Sequence, residues 1–165
     1  MIAGIDVNER DIVIAYFSNN GKPKFERIYR KNDKEMAILL SNRLKMKGID
    51  KVAIENPSIL GQDRSKSIRS LLYGEGRNIT SFLERFRKSC ERIGIKVIFV
   101  NPRGTSKICP KCNRKLEKMN GNYYLLYCKN CKLILDEDEV GSWNVLNKEL
   151  RKCLFLKYPI TMNLL

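Results

Sequence analysis

The chain has 165 residues, room for one domain with a small appended module, and its 43% apolar and 30% charged residues suit a soluble protein with a real core. Thirty-two lysines and arginines against 18 aspartates and glutamates leave a net charge of +14, which points to a polyanionic partner, most simply nucleic acid, over a merely solvated basic surface or an anionic membrane. Histidine is absent, so histidine-based triads and histidine general bases are excluded, and any catalysis must rest on carboxylates, Lys, Tyr, Cys or metal. No apolar run reaches the ~18 residues that a membrane span requires. Met1 leads straight into a strand-like run rather than a charged-then-apolar leader, so a cytoplasmic protein without membrane contact is expected. There thiols stay reduced, and paired CxxC motifs read as metal sites rather than disulfides.

In chain order, Ile-Ala-Gly-Ile-Asp-Val (2–7) predicts a strand with Ile2, Gly4 and Asp6 on one face and Ala3, Ile5 and Val7 on the other. Residues 11–17 predict a second strand, Ser-Asn-Asn-Gly (18–21) a turn, and 24–30 a third strand; connections this short imply an antiparallel meander. Asn32 followed by Glu35 resembles a capping box, with Met36, Ala37, Leu40 and Leu44 at helical spacing and Gly48 as a stop. Residues 51–55 are the next strand, with Val52 and Ile54 on one face and Ala53 and Glu55 on the other. Asp6 and Glu55 are thus matched: each sits near the end of an apolar run, and each has a small residue (Gly4, Ala53) two positions before it. That smallness suggests space for a metal or a substrate backbone.

Residues 56–78 read as a basic loop with a short helix near 63–73, and Arg64, Arg69 and Arg77 are candidate nucleic-acid contacts. Residues 79–93 give the clearest helix, with Ile79, Phe82, Leu83, Phe86, Cys90 and Ile93 in one apolar stripe; Cys90 lies on that stripe and reads as a small buried hydrophobe. Gly94 ends the helix, 95–100 form a strand, and 139–152 predict a last helix with Val140, Trp143, Leu146 and Leu150 on one side. The tail 153–165 is apolar, contains Pro159, and is expected to pack on the core or dock elsewhere. Strands alternating with helices predict an α/β layered fold on a mixed sheet.

Two stretches carry the chemistry. Cys109, Cys112, Cys128 and Cys131 form CxxC, a fifteen-residue spacer (113–127), and CxxC. Zinc takes four thiolates in a tetrahedron, and this spacer lets two short hairpins meet, so a closed structural zinc site is expected ahead of a redox or iron–sulfur one. Tyr123, Tyr124 and Tyr127 just before the second knuckle are either ordinary strand residues or a stacking surface for bases. The acids Asp6, Glu55 and an acid of Asp136-Glu-Asp138-Glu139 are the second stretch. An acid at a helix start also complements the helix dipole, so composition leaves Asp136, Glu137, Asp138 and Glu139 equivalent. Three carboxylates suit hard divalent ions such as Mg²⁺ or Mn²⁺, which activate water and stabilise the leaving oxygen in phosphodiester cleavage.

The ordered motifs Gly4-Ile-Asp6, Val52-Ala-Ile-Glu55-Asn56, Thr105-Ser-Lys-Ile-Cys-Pro-Lys-Cys112, Cys128-Lys-Asn-Cys131 and Asp136-Glu-Asp138-Glu-Val-Gly-Ser-Trp-Asn144 resemble, over about residues 1–150, the C-terminal nuclease part of the transposon-encoded TnpB (OrfB) family, relatives of type V CRISPR effectors. The resemblance implies an RNase H-like (RuvC-type) mixed sheet flanked by helices, with an inserted four-cysteine zinc ribbon. It implies catalysis by Asp6, Glu55 and Asp138, the last chosen over Asp136 through the family pattern alone, with catalytic Mg²⁺ or Mn²⁺ beside structural Zn²⁺. On that basis residues 1–104 are the nuclease core, 105–135 the ribbon, 136–152 the last core helix with the third acid, and 153–165 the tail. Arg64, Arg69, Arg77, Arg103 and Lys107 are expected to contact nucleic acid.

The expected activity is Mg²⁺-dependent DNA endonuclease cleavage, with guide RNA as a further partner in a full-length context. Because Met1 opens on the first nuclease strand, the family's guide- and target-recognising part is expected to be missing from this chain. The rival expectations are a non-catalytic nucleic-acid-binding module or truncated TnpB derivative, and a junction-resolving nuclease on the same fold. The sequence departs from the family pattern at Asn113 and Lys132, where glycine usually follows each knuckle, and at Glu137, where arginine is frequent.

Overall fold

A computed structural model describes residues 1–8, 10–55, 79–119 and 121–157. Strands β1 (Ile2–Val7), β2 (Asp11–Phe17) and β3 (Pro23–Tyr29) form the expected antiparallel meander. Helix α1 (Asp33–Met46) is capped by Asn32, whose side-chain oxygen accepts a hydrogen bond from the Lys34 N–H at 3.1 Å. Strand β4 (Lys51–Glu55) runs parallel to β1, and β5 (Lys96–Val100) runs parallel to β4. Parallel neighbours need a crossover; α1 lies between β1 and β4 in the chain, and α2 (Ile79–Arg92) lies between β4 and β5. The sheet order is β3-β2-β1-β4-β5. The predicted loop 56–78, with Arg64, Arg69 and Arg77, lies outside the described residues.

Strand alternation sorts the core into two faces. Ala3, Ile5, Ile12, Ile14, Val52 and Ile54 pack against Met36, Ala37, Leu40 and Leu44 of α1 and Phe82, Leu83, Phe86 and Cys90 of α2. Each large side chain fully buried there contributes about 1.5–3 kcal/mol. Cys90 is fully buried in that stripe, as its spacing predicted. The other face belongs to α3 (Glu137–Lys157): Trp143 and Leu146 cover Ala15, and Val145 meets Ala53 and Val100.

This second face corrects the reading of the small residues beside the acids. A Cβ on Gly4 would stand 2.2 Å from the Ser142 carbonyl oxygen and 2.5 Å from the Leu146 nitrogen. The space at Gly4 is occupied by the backbone of α3, and Ala53 is likewise covered by Val145. Neither residue leaves room for a ligand; both let the helix sit close to the sheet.

Helix α3 also begins earlier and ends later than the spacing predicted. Its start is a reciprocal cap: the Asp136 side chain accepts from the Asp138 N–H at 2.9 Å, and the Glu139 carboxylate accepts from the Asp136 N–H at 3.2 Å. Its end runs to Lys157, since no helix-breaking residue stands between 152 and Pro159. The predicted tail is therefore helical over 153–157, and 158–165 lie outside the described residues. Between β5 and α3, strands β6 (Glu117–Met119), β7 (Asn122–Cys128) and β8 (Leu133–Asp136) build a small antiparallel sheet in the order β6-β7-β8. No helix among the described residues is long and apolar enough to cross a membrane.

Candidate active site

Asp6 is the next-to-last residue of β1 and Glu55 the last of β4. The parallel register pairs Ile5 with Ile54, so the two acids follow side by side at the same end of the sheet and on the α3 face. Asp138 is the second residue of α3, and the close seating of that helix over Gly4 brings its first turn to the same end. Gly141, one turn on, faces the Asp6 carboxylate so closely that an added Cβ would lie 2.6 Å from Oδ2.

The electrostatics record the convergence. Burial, then the charges of Glu55 and Asp138, then those of Asp11 and Glu137, push the Asp6 carboxyl up to about 8, although part of the side chain stays open to solvent. The three carboxylates are nonetheless not a closed ligand set. Among the described residues, the one group of three or more potential metal ligands with atoms all within 4.8 Å is the cysteine cluster. The structure also separates Asp136 from Asp138 on physical grounds. Asp136 is engaged as the helix cap, while Asp138 stands in the first turn beyond it.

Two residues without a role in the sequence reading hold these acids. The buried Thr105 hydroxyl reaches Glu55 Oε1, with the Pro102 carbonyl as an alternative acceptor at 2.7 Å. Arg27 of β3 reaches Asp138 Oδ2 at 2.9 Å and Asp136 Oδ1 at 2.8 Å, and bonds Asp11 as well. Partial burial works against the Arg27 charge, but the hydrogen bonds it donates to Asp138 and Asp11 and the charge of Asp136 outweigh it, and the guanidinium is held above its ordinary value. Arg27 sits opposite Val13, which sits opposite Asp6, so one cross-strand row carries the arginine to the acids. Sequence spacing could have revealed this only once the β2–β3 register was known.

The four cysteine sulfurs lie within 4.8 Å of one another, with Cys112–Cys128 at 3.5 Å and Cys109–Cys131 at 4.0 Å. A tetrahedral zinc with Zn–S near 2.3 Å requires sulfurs about 3.8 Å apart, so the cradle has the right size. The thiols shift in opposite directions: backbone hydrogen bonding, foremost from Arg114, draws Cys112 down to about 6, burial pushes Cys109 up to about 12, and the hydrogen bond with Cys112 raises Cys131. The positions after the knuckles, Asn113 and Lys132, adopt φ of +62° and +55°. Their backbone is left-handed, the conformation glycine adopts without cost, and the two non-glycine residues accept that strain.

Helix α3 holds the ribbon and the segment just ahead of it. Asn144 donates to the Thr105 and Ile108 carbonyls at 2.7 Å each, Asn147 to the Pro110 carbonyl at 2.8 Å, and Lys148 to the Asn101 and Arg103 carbonyls at 2.5 and 2.7 Å. Arg103 and Lys107 flank Thr105 with exposed side chains, and neither has a carboxylate within 4.0 Å among the described residues. Tyr124 is 74% exposed on β7, compatible with either reading of the tyrosines; the Tyr123 side chain lies outside the described residues.

A five-stranded mixed sheet with helices on both faces, three acids at one end and an inserted four-cysteine ribbon is an RNase H-like fold of the RuvC type with a zinc ribbon. Residues 80–145 match the family model for the Cas12f1-like TNB domain. TnpB-like protein MJ0751 of Methanocaldococcus jannaschii is 28% identical over 89% of this chain and 68% of its own length. Putative transposase MJ0856.1 of the same organism is 31% identical over 41% of this chain and 68% of its own length. The protein in the Cas12f1–sgRNA–target DNA complex, solved by cryo-electron microscopy, superposes with a TM-score of 0.67 at 15% identity, covering 90% of this chain and 50% of that one. The chain belongs to the TnpB family, related to the type V effectors. It spans about half the length of the solved relative.

Proposed function

We propose that the chain is a metal-dependent nuclease domain that hydrolyses DNA phosphodiester bonds, with Asp6, Glu55 and Asp138 as ligands for Mg²⁺ or Mn²⁺ and Zn²⁺ held by Cys109, Cys112, Cys128 and Cys131. The observation that carries the reading is the placement of three acids from β1, β4 and α3 at one end of the sheet: the register sets Asp6 beside Glu55, and the first turns of α3, which hold Asp138, lie against Asp6 at Gly141. The donor set fits a hard divalent ion: all-oxygen ligands, and a glycine at 141 where any side chain would fill the space against Asp6. A divalent ion, when bound, lowers the pKa of a coordinated water and stabilises the leaving oxygen.

The chain's own residues do the rest. Thr105 orients Glu55, α3 presents Asp138, and Asp6 gives up its proton to become a ligand. The surplus of basic residues, including Arg103 and Lys107 beside the site and Arg64, Arg69 and Arg77, draws in the polyanion. In a full-length context a guide RNA selects the target, by analogy with the complex of Cas12f1 with an sgRNA and a target DNA. A cytoplasmic location suits the four reduced thiols.

The test is cleavage of labelled single- and double-stranded DNA by the zinc-loaded chain, with Mg²⁺ and after chelation. Asp138→Ala is expected to abolish cutting and spare salt-sensitive binding. Asp138→Ala cutting as fast as the parent would overturn the assignment, and binding without Mg²⁺-dependent turnover would identify a binding module instead.

A further inference from the structure

The acids at the end of the sheet are compensated unequally. Asp138 shares Arg27 with Asp11 and Asp136, whereas no cation among the described residues pairs with Asp6. Arg27 comes from the far edge of the sheet: β3 is the edge strand, and the row Arg27–Val13–Asp6 crosses three strands on the α3 face. Three elements meet on this one guanidinium. Asp11 opens β2, Asp136 ends β8 and caps α3, and Asp138 lies in the first turn of α3. Asp11 is nearly buried, with 12% of its side chain exposed, against 31% for Arg27 and 29% for Asp138, so the contact is partly shielded from water.

A single charge-assisted contact at the surface counts for little, but a planar fork shared by three carboxylates in a partly shielded setting fixes geometry as well as charge. The same contact has a second effect. A guanidinium on Asp138 Oδ2 places a permanent positive charge beside the position where the proposed function puts a divalent ion, and it engages one of the oxygens that ion would use.

We infer that Arg27 is a positioning residue and internal counter-cation: it ties Asp138 to Asp11 and Asp136, and it competes with the divalent ion for the Asp138 carboxylate. The inference rests on the reading of Asp6, Glu55 and Asp138 as a metal site. It gives Arg27 control over the metal concentration at which that site fills. With the ion absent, Arg27 holds Asp138 in place against the repulsion of its neighbours. With the ion present, the carboxylate exchanges one cation for another and the guanidinium retains Asp11 and Asp136.

The test measures Mn²⁺ binding, not cutting, on the full zinc-loaded chain without nucleic acid, following free Mn²⁺ by electron paramagnetic resonance. The parent is expected to show a site that Asp138→Ala removes. Arg27→Gln is expected to bind Mn²⁺ at least about fivefold tighter, because the competing charge is gone. Arg27→Lys keeps the charge and is expected to stay within about twofold of the parent. Arg27→Gln binding equally or more weakly, or Arg27→Lys matching Arg27→Gln, overturns the inference. If Arg27→Gln does not fold, Asp11→Asn decides. Losing one carboxylate leaves the guanidinium more fully on Asp138, so Mn²⁺ binding should weaken by about threefold or more, and unchanged or tighter binding overturns the inference. A parent with no Asp138-dependent Mn²⁺ site fails earlier and differently: the metal-site reading falls, and the inference with it.

Discussion

Gly141→Ala separates the candidate site from the fold that carries it. Gly141 lies inside α3 with ordinary helical backbone, so alanine there should favour the helix by about 1 kcal/mol. Against that, the new Cβ would stand 2.6 Å from Asp6 Oδ2 and 3.2 Å from its Cγ, where ordinary contact begins at 3.4 Å. What must yield is the end of a short side chain, not backbone. The carboxylate is therefore expected to move by about 0.8 Å while the strand stays in place, and a displacement of this order costs about a hundredfold in rate. Thermal unfolding should change by no more than about 1 kcal/mol in either direction, whereas Mg²⁺-dependent cleavage should fall by two orders of magnitude. Gly4→Ala is the contrasting control: its Cβ would meet the α3 backbone at 2.2 Å, and the variant should lose about 3 kcal/mol or more. Gly141→Ala cutting within threefold of the parent would refute the reasoning, because Asp6 would then not be where the reaction needs it.

Three more outcomes follow from the same geometry. Lys132→Gly relieves a left-handed backbone position and should stabilise the zinc-loaded chain by about 1 kcal/mol in urea unfolding, and Asn113→Gly by less, since asparagine tolerates that conformation better. The raised Asp6 carboxyl predicts a pH dependence for the metal-free chain. Below about pH 4 Asp6 is protonated folded and unfolded, and its contribution is fully present. Between about 4 and 8 only the unfolded chain ionises it freely, and stability falls by roughly 1.4 kcal/mol per pH unit from this group. Asp6→Asn should remove that part of the slope in unfolding measured from pH 4 to 9, and an unchanged slope would contradict the assignment. Thr105→Val deletes the hydroxyl on Glu55 and should cut turnover about tenfold for about 1 kcal/mol of stability, with Thr105→Ser restoring both.

How much of this was legible in the chain depends on distance along it. The strand acids, the cysteine spacing and the two apolar faces rest on periods of two and on local motifs, and alternation alone put Asp6 and Glu55 on the face opposite Ile5 and Ile54. The partners of the acids are another matter. Arg27 meets Asp138 across 111 positions and Thr105 meets Glu55 across 50, and no local pattern encodes a register that depends on how β3 pairs and where the ribbon docks. Gly4 falls under the same limit. Its missing side chain was visible, but what fills the space, the backbone of α3 some 140 residues on, was not. Asp136 and Asp138 could not be told apart by composition; the capping hydrogen bonds distinguish them in space.

The docking of the ribbon has a consequence for how it can change. Five of the contacts from Asn144, Asn147 and Lys148 end on main-chain carbonyls of residues 101–110. A carbonyl is present whatever side chain it carries, so these five bonds read the path of the chain and not its letters, while Val140 against Leu116, Leu126 and Cys128, and Arg151 donating to Asn113 Oδ1 at 2.6 Å, read side chains as well. The face of the ribbon turned outward is thereby free to vary, and with it whatever it touches, while the helix keeps hold of it. A ribbon exchanged from a relative should seat on this domain provided α3 keeps those three residues, and the incoming segment keeps the same backbone course and the apolar side chains that meet Val140 and Trp143.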